Sequence, residues 1–327
     1  MATLVSPPVH DSAAAPSQML DVWYICDQTL CNFDCPYCVT KPQRLAANKR
    51  MWGTDRGAAT YRQVLCWLAS LPWQLRLRLQ TKGEPFISSE FLDGAAWMTT
   101  QTNTSFVELA TNGSCTASRL RRFAEVADMK RISLWITFHP SETDATRVLG
   151  TARLAIKLGA SVVVHMLLFP GSEAAVREMQ FLCQADGIRT DLTVGVNHNN
   201  AYPGLGRMPI TETGLDVRDV LRHPILAEAM LRAYTGPMGM PCSAGHDYIF
   251  VQSNGDVYPC NPYSRSPSRR MGTALDPEFR PALRSGRFSS CEHGGSCVCK
   301  EDYLHLDVTR QASAASKSLS YCETQPC

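Results

Sequence analysis

Three cysteines fall within eight residues, at Cys31, Cys35 and Cys38, in the stretch CNFDCPYC. Clustered thiols on a C-x3-C-x2-C spacing point to metal or redox chemistry, because the thiolate is both a metal ligand and a nucleophile. Three assignments are open. A structural zinc site takes four closed ligands, and the nearest histidine in sequence, His10, lies in a Pro-containing leader. A redox C-x-x-C uses Cys35 and Cys38 and leaves Cys31 idle. An iron–sulfur cluster is held by thiolates, and three of them on a 4Fe–4S cube leave one iron without a protein ligand. Open coordination at a metal usually marks catalysis.

The elements around these thiols alternate. Asp21–Asp27 reads as a first strand, and the cysteines follow it directly. Arg56–Leu71 carries Tyr61, Val64, Leu65 and Leu68 on one helical face. Leu75–Thr81 alternates apolar and polar residues strictly, as a strand does. Helix then strand repeats through 90–100, 105–110, 118–127 and 131–138. In 143–158, Val148, Leu149, Ala152, Ala155 and Ile156 share a face. A fifth strand at 161–169, a helix at 172–185 and a sixth strand at 192–197 complete the series. Six βα-like units in succession predict a parallel sheet with helices outside it.

Past about 200 the pattern changes. A helical stretch is expected near 215–234, and from Cys242 onward Cys, Gly and Pro dominate. Ser253-Asn254-Gly255 separates two short apolar runs and predicts a β-hairpin. The chain therefore divides into a mobile leader at 1–20, an α/β domain at 21–236 and a small cysteine-rich domain at 237–327.

Composition narrows the function classes. Of the 327 residues, 44% are hydrophobic, enough for a sizeable core, and the formal charge of +2 does not favour nucleic acid. No apolar run reaches membrane-spanning length, and the leader lacks the pattern of a secretion signal. Fourteen cysteines without such a signal fit a reducing, cytoplasmic compartment and metal chemistry. Cys26, Cys66, Cys115 and Cys183 lie in apolar or helical contexts and read as small hydrophobes.

The C-x3-C-x2-C motif, with Tyr37 just before its last cysteine, resembles the signature of the radical S-adenosylmethionine (radical SAM) superfamily. The resemblance covers about 21–200 and implies a partial (β/α)6 TIM-type barrel. It implies that Cys31, Cys35 and Cys38 hold a 4Fe–4S cluster whose open iron chelates S-adenosylmethionine. One-electron cleavage of the sulfonium then gives a 5′-deoxyadenosyl radical that abstracts a substrate hydrogen. Gly83-Glu84-Pro85, after the second strand, resembles the family's Gly-Gly-Glu motif for the cofactor's amino group, with Lys82 in place of the first glycine. Asn112 ends strand three as the family often does, and Thr137 and His139 end strand four where ribose contacts are common. All these groups sit at carboxyl ends of predicted strands, the face where parallel barrels build active sites.

Cys242, twelve residues, Gly255, four residues and Cys260 resemble the opening of the SPASM/Twitch extensions, which hold auxiliary 4Fe–4S clusters. Cys291, Cys297 and Cys299 would complete one such cluster; two clusters would draw in Cys322 or Cys327. A zinc ribbon is the competing reading. The short segment before the first strand leaves no room for the peptide-recognition domain of many peptide-modifying relatives. That favours a small polar substrate of sugar, nucleoside or aminocyclitol type, with His165, Asn197, His198, Asn199 and Asn200 near the barrel mouth. A peptide maturase with a separate recognition protein is the alternative, and a non-catalytic iron–sulfur electron carrier a third. The enzyme reading also implies an external one-electron donor, such as flavodoxin or ferredoxin.

Overall fold

The computed structural model describes residues 18–169, 171–195, 237–293 and Cys297. Six strands form its centre: β1 (Met19–Cys26), β2 (Gln74–Thr81), β3 (Thr104–Thr111), β4 (Ile132–Phe138), β5 (Ser161–Leu168) and β6 (Arg189–Val194). Each lies parallel to the next in chain order. The helices are α1 (Lys41–Ala46), α2 (Gly57–Ala69), α3 (Ser89–Thr99), α4 (Ala117–Ala124), α5 (Ala145–Lys157) and α6 (Glu173–Ala185). Ser88, Thr116 and Asp144 cap α3, α4 and α5 by accepting a backbone N–H three residues on.

The strict alternation of β2 sorts its side chains between two faces. Leu75, Leu77 and Leu79 are fully buried in one core with Tyr61, Val64, Leu65 and Leu68 of α2. Arg76, Arg78 and Gln80 face the other way and are partly exposed. There the parallel register sets Arg78 opposite Glu108, and the two form an ion pair. Arg76 pairs with Asp21, and the Arg78 guanidinium stacks 4.7 Å from the Trp135 ring. Further towards the carboxyl ends, the register brings Thr137, His165 and Asp191 side by side across β4, β5 and β6.

The C-terminal segment adds β7 (Pro241–Cys242), β8 (Tyr248–Val251), β9 (Asp256–Tyr258), β10 (Gly272–Thr273) and β11 (Ser289–Ser290). The hairpin expected at Asn254-Gly255 is present as β8 and β9, with Gly255 at φ +88°. It does not stand apart. β8 pairs in parallel with the outer edge of β1, Asp21–Tyr24 against Tyr248–Val251, so nine strands make one sheet.

Three local expectations need correction. β6 begins at Arg189, ahead of the predicted start at Leu192, because its first residues are polar and mask the strand. Ile156 is 46% exposed, and Thr151 takes the inward place on α5, where its hydroxyl donates to Gly113 O at 2.9 Å. α1 was not foreseen: it is six residues long and buries none of them. Residues 1–17, Asn197–Asn200, the helix expected at 215–234, Cys299, Cys322 and Cys327 lie outside the described residues. No helix among the described residues is long and apolar enough to cross a membrane.

Candidate active site

Where β1 ends, the chain crosses the carboxyl end of the sheet and carries the three cysteines past the end of β2. Lys82 N and Gly83 N both donate to Gln28 O, at 2.9 and 3.0 Å, and Glu84 N donates to Leu30 O at 2.9 Å. A Cβ on Gly83 would lie 2.1 Å from Leu30 O, so only glycine permits this approach. The loop after β2 is thereby laid directly against the cysteine loop.

Cys35 is buried, Cys31 and Cys38 are half-buried, and all three pack with Phe33, Tyr37, Leu167 and Phe169. Asn112 Nδ2 lies 3.9 Å from Cys31 Sγ, and Arg44 Nη1 lies 3.5 Å from Cys38 Sγ. Burial pushes the Cys35 thiol up to about 12, with Glu142, Cys38 and Cys31 adding to the shift; burial also raises that of Cys31, against the opposing pull of the Phe33 N–H and Arg44. A bound metal deprotonates a coordinating thiol outright, so a metal held here would neutralise thiolates that burial otherwise disfavours.

Glu84 is fully enclosed. One carboxylate oxygen accepts from Thr111 Oγ1 at 2.6 Å and Phe86 N at 3.1 Å, and the other accepts from Asn112 N at 2.8 Å. Burial outweighs these bonds and pushes the carboxyl up to about 7. Glu84 thus ties the ends of β2 and β3 together. Lys82, which replaces a glycine of the resembled motif, donates to Asp27 Oδ1 at 2.7 Å and to Ser253 Oγ at 3.2 Å, joining β1, β2 and the β8–β9 turn.

Tyr37 stacks on Phe169 at 4.2 Å between ring centroids, and its hydroxyl lies 3.1 Å from His139 Nδ1. Burial among these rings pushes the His139 imidazole down to about 4, so it is neutral at pH 7. Tyr37, Leu167, Phe169 and Ser172 line a cavity of about 280 Å³. Thr137 Oγ1 lies 3.3 Å from His165 Nδ1, and Thr193 Oγ1 lies 3.0 Å from His165 Nε2. Asp191, 3.7 Å from His165 Nε2, was not singled out from the sequence; its i,i+2 alternation with Arg189 and Thr193 was the available signal.

A second pocket gathers Cys242, Cys260, Cys291 and Cys297, together with His293 and Tyr248. The hairpin returns Cys260 towards Cys242. His293 was also missed, although a histidine two residues after a candidate ligand cysteine is itself a ligand type. Among the described residues, no three Cys, His, Asp or Glu side chains converge to hold a single ion. The thiols of this set line a shared pocket instead. Cys26 and Cys183 are fully buried in the core, as small hydrophobes.

No protein-family model matches the chain, and no curated protein sequence does either. Solved structures do. A histidine-tagged form of anSMEcpe with bound AdoMet superposes with a TM-score of 0.54 at 15% identity, over 79% of this chain and 75% of that one. Native anSMEcpe with AdoMet and the Cp18Cys peptide gives 0.51 at 14% identity, over 78% of each chain. Streptococcus suis SuiB bound to its precursor peptide SuiA gives 0.52 at 14% identity, over 80% of this chain and 63% of that one. At these identities the likeness is one of fold: the chain shares the α/β fold of these AdoMet-bound and peptide-bound proteins.

Proposed function

We propose that this protein is a radical SAM enzyme that reductively cleaves S-adenosylmethionine and abstracts a hydrogen atom from a small polar substrate. The observation that carries the reading is the gathering of Cys31, Cys35 and Cys38 at the carboxyl end of a parallel sheet, against the Gly83-Glu84 loop. Those three cysteines would hold a 4Fe–4S cluster. When bound, the cluster supplies the electron that breaks the sulfonium carbon–sulfur bond and so generates the hydrogen-abstracting radical.

The chain's own residues divide the remaining work. Phe33, Tyr37 and Phe169 exclude water from the thiols. The aromatic wall of Tyr37 and Phe169 offers an adenine a flat apolar face, and neutral His139 and Thr137 offer hydrogen-bonding atoms to a ribose. Glu84 keeps the loop that meets the amino group in place. The ion-paired inner face, with Arg78, Glu108, His165 and Asp191, suits a substrate rich in hydroxyl or charged groups.

Cys242, Cys260, Cys291 and Cys297 would hold an auxiliary cluster. A polynuclear cluster takes one thiolate per iron, so its ligands line a pocket, whereas zinc draws its ligands to one point. An external one-electron donor completes the scheme, in a reducing compartment.

A second substrate reading, a ribosomal peptide presented by a separate recognition protein, is favoured by the peptides bound in the anSMEcpe and SuiB structures. Anaerobically reconstituted, dithionite-reduced protein should release 5′-deoxyadenosine from S-adenosylmethionine, and Cys35→Ala should abolish it. No release with any candidate substrate would sink the enzyme reading. Comparing a panel of aminocyclitols and nucleosides with precursor peptides as stimulants of that release separates the two substrate readings.

A further inference from the structure

α1 buries none of its six residues, so core packing does not account for it. Its flanks explain it better. Before the helix, Thr40 Oγ1 donates to Lys82 O at 2.6 Å. After it, Ala47 is buried, and Asn48 and Lys49 take positive φ, at 50° and 59°. Left-handed backbone is costly for a lysine, and here it turns the chain back to the cysteine loop. Thr29 N then donates to Met51 O and Thr29 Oγ1 to Arg50 O, both at 2.9 Å. The segment is a bracket pinned at both ends beside the three thiols, and Arg44 is the side chain it turns towards them.

Arg44 Nη2 donates to Phe33 O at 2.8 Å, and Nη1 donates to Cys38 Sγ at 3.5 Å. Thr40 Oγ1 lies 3.2 Å from the same sulfur, but its one proton is already given to Lys82 O. Arg44 Nε–H is enclosed and has no acceptor among the described residues. A buried guanidinium donor left unpaired is costly, and a negatively charged group held by the thiols would satisfy it. The charge reaches Cys31 as well, whose thiol it draws down against burial. Charge of the opposite sign lies at Cys35: Glu142 accepts from Asp34 N at 3.4 Å and raises the Cys35 thiol. The three thiols therefore stand in an uneven field, positive at Cys38 and negative at Cys35.

We propose that Arg44 tunes the redox centre: its fixed positive charge raises the reduction potential of the group that Cys31, Cys35 and Cys38 hold, and Glu142 opposes it. The proposal rests on the radical SAM reading. Arg44 acts through Cys38 and is a positioning residue, not a catalytic one. Reduction potentials of iron–sulfur centres follow their net charge and the hydrogen bonds to their sulfurs. One added electron adds one negative charge, which a half-buried guanidinium offsets with little screening. That electron comes from the external donor the proposed reaction already requires; no bond forms or breaks and no proton moves in this step. Arginine suits the task because it stays protonated at any working pH, and its fork holds Phe33 O and Cys38 Sγ at once.

The test is an anaerobic redox titration of reconstituted holoprotein, read by electron paramagnetic resonance on the signal that S-adenosylmethionine perturbs. Arg44→Gln removes the charge. At a fixed applied potential its ratio of reduced to oxidised centre should fall about ten-fold, which is a midpoint about 59 mV lower. Arg44→Lys restores the charge and should recover most of that shift, and Glu142→Gln should move the midpoint the opposite way. A midpoint does not depend on how much of the protein is loaded, so partial reconstitution leaves the comparison intact. Equal midpoints in wild type and Arg44→Gln would overturn the proposal, as would an Arg44→Lys midpoint as low as that of Arg44→Gln. Loss of the centre from both Arg44 variants would also overturn it, by assigning Arg44 to the folding of the cysteine loop. If Arg44→Gln alone fails to load, a Glu142→Gln midpoint no higher than wild type overturns it. Failure of the enzyme reading shows separately, in the wild type, as no signal sensitive to S-adenosylmethionine and no 5′-deoxyadenosine with dithionite.

Discussion

Glu84 illustrates how much a single carboxylate does here. It spans the ends of β2 and β3 through three hydrogen bonds, yet its burial costs more than those bonds recover, and its carboxyl rises to about 7. The folded chain therefore holds this proton more tightly than the unfolded chain does, whose carboxyl titrates in the ordinary range near 4.5. The associated stability is complete below that range and is lost as pH rises through 7. Thermal unfolding of metal-free protein should show this as a decline between pH 5 and pH 7.5. Glu84→Gln should flatten that decline while lowering stability throughout by about 1–3 kcal/mol, because its amide NH2 meets the Asn112 N–H. A variant with the wild-type slope would mean that another group carries it. The thiols were legible in the sequence because their spacing advertises them, and the Gly83-Glu84 pair through its resemblance to a family motif and its place after the second strand. The inward turn of the Glu84 carboxylate was not, since it depends on where β3 ends relative to β2.

At the level of elements, Lys82 is the residue that departs from the resembled motif, and the departure has a physical use. Its ammonium meets Asp27, whose side chain is 8% exposed, and Ser253 in the β8–β9 turn. Removing it leaves a nearly buried carboxylate without its counter-charge. Lys82→Met should cost about 3–5 kcal/mol in chemical denaturation, and adding Asp27→Asn should recover part of that loss. Equal stability of Lys82→Met and wild type would show the contact to be incidental. The βα alternation was readable because strand and helix periods differ, and Leu75–Thr81 states its two faces plainly. α1 escaped because six residues with a proline carry no period. β6 was placed late because Arg189 and Asp191 interrupt its apolar run. Pairing of β8 with β1 left no local trace: a strand's pattern tells which face is buried, not which strand lies beside it.

For the molecule as a whole, the nine-stranded sheet carries two cysteine sites, one past the end of β1 and one beyond β9. If both take a 4Fe–4S cluster, reconstituted protein should hold about eight irons per chain. Cys242→Ala should reduce that to about four, with the signal of the Cys31, Cys35 and Cys38 centre retained in electron paramagnetic resonance. About twelve irons in the wild type would require a further cluster, and zinc in place of iron would assign a ribbon. Cys260 also packs with Tyr248, Phe250 and Trp23, and the Trp23 indole donates to Gln80 Oε1 at 2.8 Å. The second site therefore reaches the inner face of the barrel through β1 itself.

The pairing of β8 with β1 also orders events in time. During synthesis β1 finds its second neighbour only after Tyr248–Val251 has been made. Until then the outer edge of β1 presents unpaired N–H and C=O groups, a template for any extended chain nearby. Because the entropy of closing so long a loop grows only logarithmically, the late contact costs little more than a shorter one would. The delay is the greater burden: the nascent chain must keep that edge, and the thiols just beyond it, out of wrong partnerships until its own C-terminal hairpin arrives.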